Sequence, residues 1–510
     1  MSNQQLLYQF YIDFQYFTNT INIKKLSGKK APPKLFQLLT QLDRHEWHRL
    51  ETFVHSPYFN TRSEVQQLLA ELRPFHPDYG TVKKTDLYLK LRPNETYDRK
   101  WMNDLLSALS RLVAHFWAIE QLLTSEAAYQ RAYRNGLRHH VLDQLADRHF
   151  QAELKREKSS EMIDIDRAFI RWSLYHETYA VPSRSRSGEE RHEEVEGLNQ
   201  YLDLHYLLLK LRYFCDRENR KFTYEEDFED PMEAIVVQQA ALLRHRFPVL
   251  DLYYRLYLLF HKETWEASEF LELQDLFYEL SDHLAPNERG FLVIKLAGLA
   301  NKKYQSGESD FIRHLFDLYR FGVEQGAFDI GRLFPDTTFL NICTVGSYVG
   351  EFEWVQEFID THRPRLPSEA ADAADLGEAS LHFHQKDYQQ AYELTQAVLN
   401  RQFAYRVRIQ SLGVRCLLVR YLKGEVDYYL TFDKLEAFGQ YLNRDKGMAP
   451  ERRRQYRTFR LAAKRIIQLK LYHWDNETEK AKVVQWIDQQ PAMMFRQWLL
   501  EQLEAAWVGE

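Results

Sequence analysis

The densest cluster of chemically competent side chains in this 510-residue chain is basic. The stretch APERRRQYRTFRLAAKRIIQLK, from Ala449 to Lys470, carries Arg452, Arg453, Arg454, Arg457, Arg460, Lys464, Arg465 and Lys470 against a single acidic residue, Glu451. Pro450 and Glu451 suit the first turn of a helix, where a missing N–H costs nothing and a negative charge is favoured. On that helix Arg453, Arg457, Arg460 and Lys464 form one stripe, and Tyr456, Phe459, Ala463 and Ile467 form another. A basic stripe can hold phosphates, with salt-dependent and largely sequence-independent affinity, or an acidic protein surface. The competing reading is a solvated outer face paired with neighbouring carboxylates.

Other candidate chemistries are weaker. His45-Glu46-Trp47-His48, with Glu51 nearby, places two histidines three residues apart, whereas the metalloprotease helix needs a spacing of four with Glu directly after the first. A surface helix is the better reading. Gly28-Lys29 lacks the upstream glycine and the following Ser or Thr of a phosphate loop, and Gly346-Ser347-Tyr348-Val349-Gly350 has its serine one position too early for a nucleophile elbow. Cys215, Cys343 and Cys416 are odd in number and far apart, which reads as buried free thiols in a reducing compartment rather than a disulfide or zinc framework. The expectation is therefore no catalytic residue, no cofactor and no metal.

The elements that must position these side chains are helices. Glycine (19) and proline (15) are scarce, and 32 Phe, 31 Tyr and 10 Trp supply bulky material for helix packing. Three turn signatures recur near the C-terminal end: Gly350-Glu351-Phe352, Lys386-Asp387-Tyr388 and Gly424-Glu425-Val426, spaced by 36 and 38 residues. A looser one stands at Gly307-Glu308. A period in this range marks stacked helix pairs, since one pair cannot bury its apolar face alone. The segment ADLGEASLHFHQKDYQQAYELTQAVL (Ala374 to Leu399) is similar to a tetratricopeptide unit, with Asp387-Tyr388 at the turn and Ala391 where two helices approach closely. The preceding unit places Pro367 where that family often ends its second helix. The resemblance implies a solenoid of stacked helix pairs, read as right-handed. On that fold the expectation is that a concave surface lined by the first helices of the repeats, including His382, His384, Arg415 and Tyr421, holds a protein partner. His382 and His384 flank Phe383 and point in different directions. Pro491 to Trp507 reads as a terminal capping helix.

Upstream, Leu35 to about Leu123 has a helical apolar period, read as one helix to His55, another near Ser63 to Leu72, a short one capped by Thr85, and a long one from Tyr97 to Leu123 with Trp101, Leu105, Leu109, Leu112 and Phe116 inward. The phrase Phe53-Val54-His55-Ser56-Pro57-Tyr58-Phe59-Asn60 resembles the opening of a group of bacterial proteins with an SPYFN-like turn, to which no activity is attached. In that turn Tyr58 and Phe59 are expected to staple the loop to its helices, with aromatic binding as the alternative. The polar stretch VPSRSRSGEERHEEVEG, Val181 to Gly197, reads as a connector, and LHYLLLKLRYF after it as a buried helix.

These readings give an all-α chain: a tail and Lys/Pro linker (1–34), an N-terminal helical domain (35–180), a polar linker (181–197) and a repeat domain resembling tetratricopeptides (198–510). The tail is loosely attached, or lies on a partner or membrane surface. A net charge of −6 argues against a surface shaped as a whole for nucleic acid. The absence of a secretion-like start and of an apolar run near ~18 residues points to the cytoplasm. The expected function is a non-enzymatic protein-binding scaffold. The alternative is a nucleic-acid-associated regulator using the helix at 452–465 or the N-terminal domain.

Overall fold

The computed structural model describes residues 33–160, 162–179, 188–224, 229–262, 264–305, 307–329, 331, 333–367, 370–399, 405–445, 448 and 450–508. The N-terminal tail with its Lys/Pro segment up to residue 32, and Ser183, Ser185 and Ser187 of the polar stretch, lie outside the described residues, while Lys34 begins the first helix. Every regular element among them is a helix, so the chain is all-α. It divides into two units, whose described parts cover 33–159 and 160–508. The unit boundary thus falls at Ser159/Ser160 rather than at residue 180.

The first unit contains α1 (Lys34–Thr40), α2 (Arg44–His55), α3 (Ser63–Leu72), α4 (Lys84–Leu91), α5 (Arg99–Thr124), α6 (Glu126–His139) and α7 (Asp143–Lys158). Leu39, Leu50, Val54, Leu68, Leu105 and Leu109 are fully buried in its core. The single helix expected up to His55 is two helices. Asp43 accepts from Glu46 N–H while the Glu46 carboxylate accepts from Asp43 N–H, a capping box that starts α2 afresh. Thr85 does not cap α4; it lies within the helix, whose N-cap position is Lys83 with no side-chain cap. Asp98 caps α5 through Lys100 N–H and Trp101 N–H, and Trp101 is only partly buried. In the SPYFN turn, buried Asn60 donates to the Val54 and Arg62 carbonyls, and Phe59 stacks on Phe53 with centroids 4.1 Å apart. Tyr58 does not staple the turn; it is 88% exposed.

The second unit begins with α8 (Ile165–Tyr179) and α9 (Gly188–Tyr224), so a helix replaces most of the expected polar connector. Its Glu-rich start has good helix propensity and needs no core of its own, because the helix is anchored further on by buried Leu204, Leu208 and Leu211. Helix α9 is not buried all round: Leu202, Tyr206 and Tyr213 are exposed. Then follow α10 (Glu233–Leu243), α11 (Pro248–His261), α12 (Ala267–Leu280), α13 (Pro286–Gln305), α14 (Phe311–Glu324), α15 (Asp336–Tyr348), α16 (Phe352–His362), α17 (Asp372–His384), α18 (Tyr388–Leu399), α19 (Arg406–Leu422), α20 (Tyr428–Arg444), α21 (Pro450–Tyr472), α22 (Glu477–Asp488) and α23 (Arg496–Val508).

From α13 to α22 these are helical hairpins in sequence order, and the first helix of a pair also packs on the first helix of the next, as α15 does on α17. The turn signatures set the hairpins. Gly307, Gly350, Lys386 and Gly424 all adopt left-handed backbone, with φ of 112°, 86°, 68° and 76°. In each turn the N–H of the following residue reaches back five positions: Glu308 to Lys303 O, Glu351 to Gly346 O, Asp387 to His382 O and Glu425 to Arg420 O. This double-bonded C-terminal cap satisfies carbonyls that a helix end otherwise leaves open. The same cap geometry therefore closes all four turns.

Candidate functional site

The repeated caps place aromatic residues at equivalent points, two or three positions before each left-handed residue, on the first helices. Tyr304 of α13 donates its hydroxyl to the Tyr348 hydroxyl of α15 at 2.9 Å. The Tyr348 ring meets the His384 ring of α17 edge-on, with centroids 5.9 Å apart. His384 is half-buried, its Nδ1 is 2.8 Å from Ser380 O, and burial pushes its imidazole down to about 4. Tyr421 of α19 is buried and donates to Ile467 O of α21 at 3.4 Å. Successive first helices thus present a line of rings, which we call the first-helix face.

Arg415 of α19 lies at its centre, and only 9% of its surface is exposed. Its guanidinium carbon is 4.6 Å from the Phe383 ring centroid, 4.2 Å from that of Phe495 and 5.6 Å from that of Trp498. Among the described residues no carboxylate pairs with it, and burial pushes it down to about 10. The positive charge is held by ring faces, whose quadrupoles attract a cation most strongly where water is excluded.

Two of those rings come from the C-terminal segment. Met494 N–H donates to Gln455 O, Phe495 packs on Phe459 of α21 with centroids 5.0 Å apart, and Trp498 of α23 packs on Phe383 of α17 at 5.9 Å. Met493, Met494, Leu499 and Leu503 are also buried. The helix expected from Pro491 to Trp507 therefore begins at Arg496, and its aromatic side lies on the first-helix face across α17, α19 and α21.

Of the residues assigned to a partner-binding surface, His384 and Arg415 lie close enough for the guanidinium charge to act on the imidazole. Tyr421 is turned toward α21. His382 faces the turn, with Nδ1 3.6 Å from the Asp387 carboxylate. Arg415 is covered by the chain's own helix, so it does not line an open groove. Tyr304, Tyr348, Phe495 and Trp498 escaped the sequence reading. For the last two the signal is a Phe and a Trp three residues apart after Met493-Met494.

The basic stripe of α21 is engaged from within. Arg453 donates to the Asp445 and Met448 carbonyls beyond the end of α20, Arg457 to Asn443 at 2.7 Å, Arg460 to Glu436 and to Leu435 O, and Lys464 lies 3.5 Å from Glu436. A Cβ on Gly439 would come 2.3 Å from Arg460 Nε, so α20 gives up a side chain to seat this arginine. The stripe faces α20, where helix-end carbonyls and one carboxylate attract cations. Only Arg457 of the four is exposed.

Two further clusters take part in no visible chemistry. Glu218, Glu233 and His261 bring three potential metal-ligand atoms within 4.8 Å of one another, but the guanidinium of Arg217 already pairs with both carboxylates and holds Glu233 below its usual range. Arg212 and the Tyr253 hydroxyl both donate to Glu288, and Lys295 to Asp216 at 2.6 Å, joining α9, α11 and α13. Burial raises Glu288 and lowers Lys295, yet each meets its partner inside the cluster. At the N-terminal end, Glu46 is taken by its capping box and His48 Nδ1 lies 3.9 Å from the Glu51 carboxylate. No helix among the described residues is long and apolar enough to cross a membrane. Comparison with family models, curated proteins and solved structures finds no match.

Proposed function

We propose that this protein is a non-enzymatic protein-binding scaffold whose docking surface is the first-helix face. One observation carries the reading: this face holds the chain's own C-terminal segment, with Phe495, just before α23, and Trp498 of α23 set on Arg415 and Phe383. Stacked helix pairs offer repeated side chains along one face, which is how such arrays bind extended partners. The clusters around Glu233 and Glu288 are closed by intramolecular partners, which supports a structural role for them.

The nucleic-acid reading has less support, because Arg453, Arg457, Arg460 and Lys464 each have an intramolecular partner. Affinity capture of the tagged chain from its native cell, with and without nuclease, tests both. The scaffold reading expects a nuclease-resistant stoichiometric protein that is lost when the exposed ring of the face is removed by Tyr348→Ala. Recovery of nucleic acid alone, or of nothing above background, counts against it.

A further inference from the structure

The contact between α23 and the first-helix face combines a close apolar fit with uncompensated costs. Phe495, Trp498, Leu499 and Leu503 are nearly or fully buried. Phe495, however, adopts left-handed backbone with φ of 57°, a conformation that costs a side chain with a Cβ. Arg415 Nε, Gln455 Oε1 and Arg496 Nε are buried there without a hydrogen-bond partner among the described residues. Each unmade bond gives back free energy that burial gains. The helix is joined to α22 by only seven residues, Gln489 to Phe495. The face also continues past it, since Tyr348 remains 41% exposed.

We propose that the first-helix face recognises a helix that carries one aromatic side chain in its first turn and a second on the residue just before it, and that the chain's own segment from Met493 to Trp507 is the resident ligand, exchangeable for a partner segment of that chemistry. The inference rests on the scaffold reading and gives its partner a class. The rings of the incoming segment, one on its first helical turn and one just ahead of it, take the places of Trp498 and Phe495 on Arg415. A tethered resident acts at a local concentration in the millimolar range, so it masks the face against weak helices and yields to strong ones.

The probe is a labelled synthetic peptide of residues 490–508, added to the full chain and to its Phe495→Ala/Trp498→Ala variant. Weakening the tethered competitor should tighten peptide binding by at least about tenfold, and a peptide with both aromatics replaced by alanine should not bind. Equal affinity for both proteins, no binding to a variant that keeps its helical circular dichroism, or equal binding of the alanine peptide each overturns the proposal. Should the variant lose its helical signal, hydrogen exchange on the unaltered chain decides. Amides of 497–507 exchanging at least about tenfold faster than those of 456–469 support an exchangeable helix; equal rates refute it. A partner captured equally by the variant and the wild-type chain defeats this inference and leaves the scaffold reading intact.

Discussion

At the scale of single residues, the left-handed positions show what the turns demand. Lys386 takes the backbone that glycine takes at positions 350 and 424, and Val141 does so with a β-branched side chain that is 80% exposed. Lys386→Gly should raise stability by about 0.5–1 kcal/mol and Gly350→Ala should lower it by a similar amount, both read from urea midpoints. Val141→Gly should also stabilise. The turn at Lys386 was legible because Asp387-Tyr388 kept the pattern; the one at Val141 was not, since neither glycine nor period marks it. His384 gives a pH prediction. Its folded value, about 4, is below the ordinary 6.5, so its contribution is present above pH 6.5 and is lost as pH falls from 6.5 toward 4. His384→Gln should lose less stability across that window, in denaturant titrations at pH 7 and pH 4.5.

At the scale of elements, the basic helix shows where a sequence pattern stops informing. The arginine spacing correctly marked one stripe, but a stripe does not say whether it meets water or a neighbour, and α20 settled that with Glu436, Asn443 and the small Gly439. Gly439→Ala should displace Arg460 from Leu435 O and Glu436, and since Ala's helix propensity offsets about 0.5–1 kcal/mol of the loss, the net cost should be no more than about 1 kcal/mol by chemical denaturation. Reversing Arg453, Arg457 and Arg460 to glutamate should lower the denaturation midpoint, because like charges would then face Glu436 and the open carbonyls of α20. An unchanged midpoint would restore the stripe to solvent. Elsewhere, the Asp43-x-x-Glu46 signature was available in the sequence and divides α1 from α2, whereas the apolar period runs through both. The polar run before Leu198 was read as a connector because it lacks a core, yet a helix anchored at one end needs none at the other.

At the scale of the whole molecule, the chain consists of two units that each close a core. Leu109→Ala, at a fully buried site in the first, should cost about 2–5 kcal/mol there. In calorimetry one transition should shift while that of the repeat-bearing unit stays in place; a common shift would argue for a single cooperative block. The array was legible because its period is local and repeats. The destination of α23 was not, because the meeting of Phe383 with Trp498 spans more than a hundred residues and leaves no periodic trace. That separation acts in time as well. A ribosome builds Phe383 and Arg415 before Phe495 and Trp498, and at about 5–20 residues per second the nascent array stands uncovered for seconds. If the proposed exchange holds, a partner segment made in that interval meets an uncovered face, and the relative timing of synthesis bears on which segment occupies it.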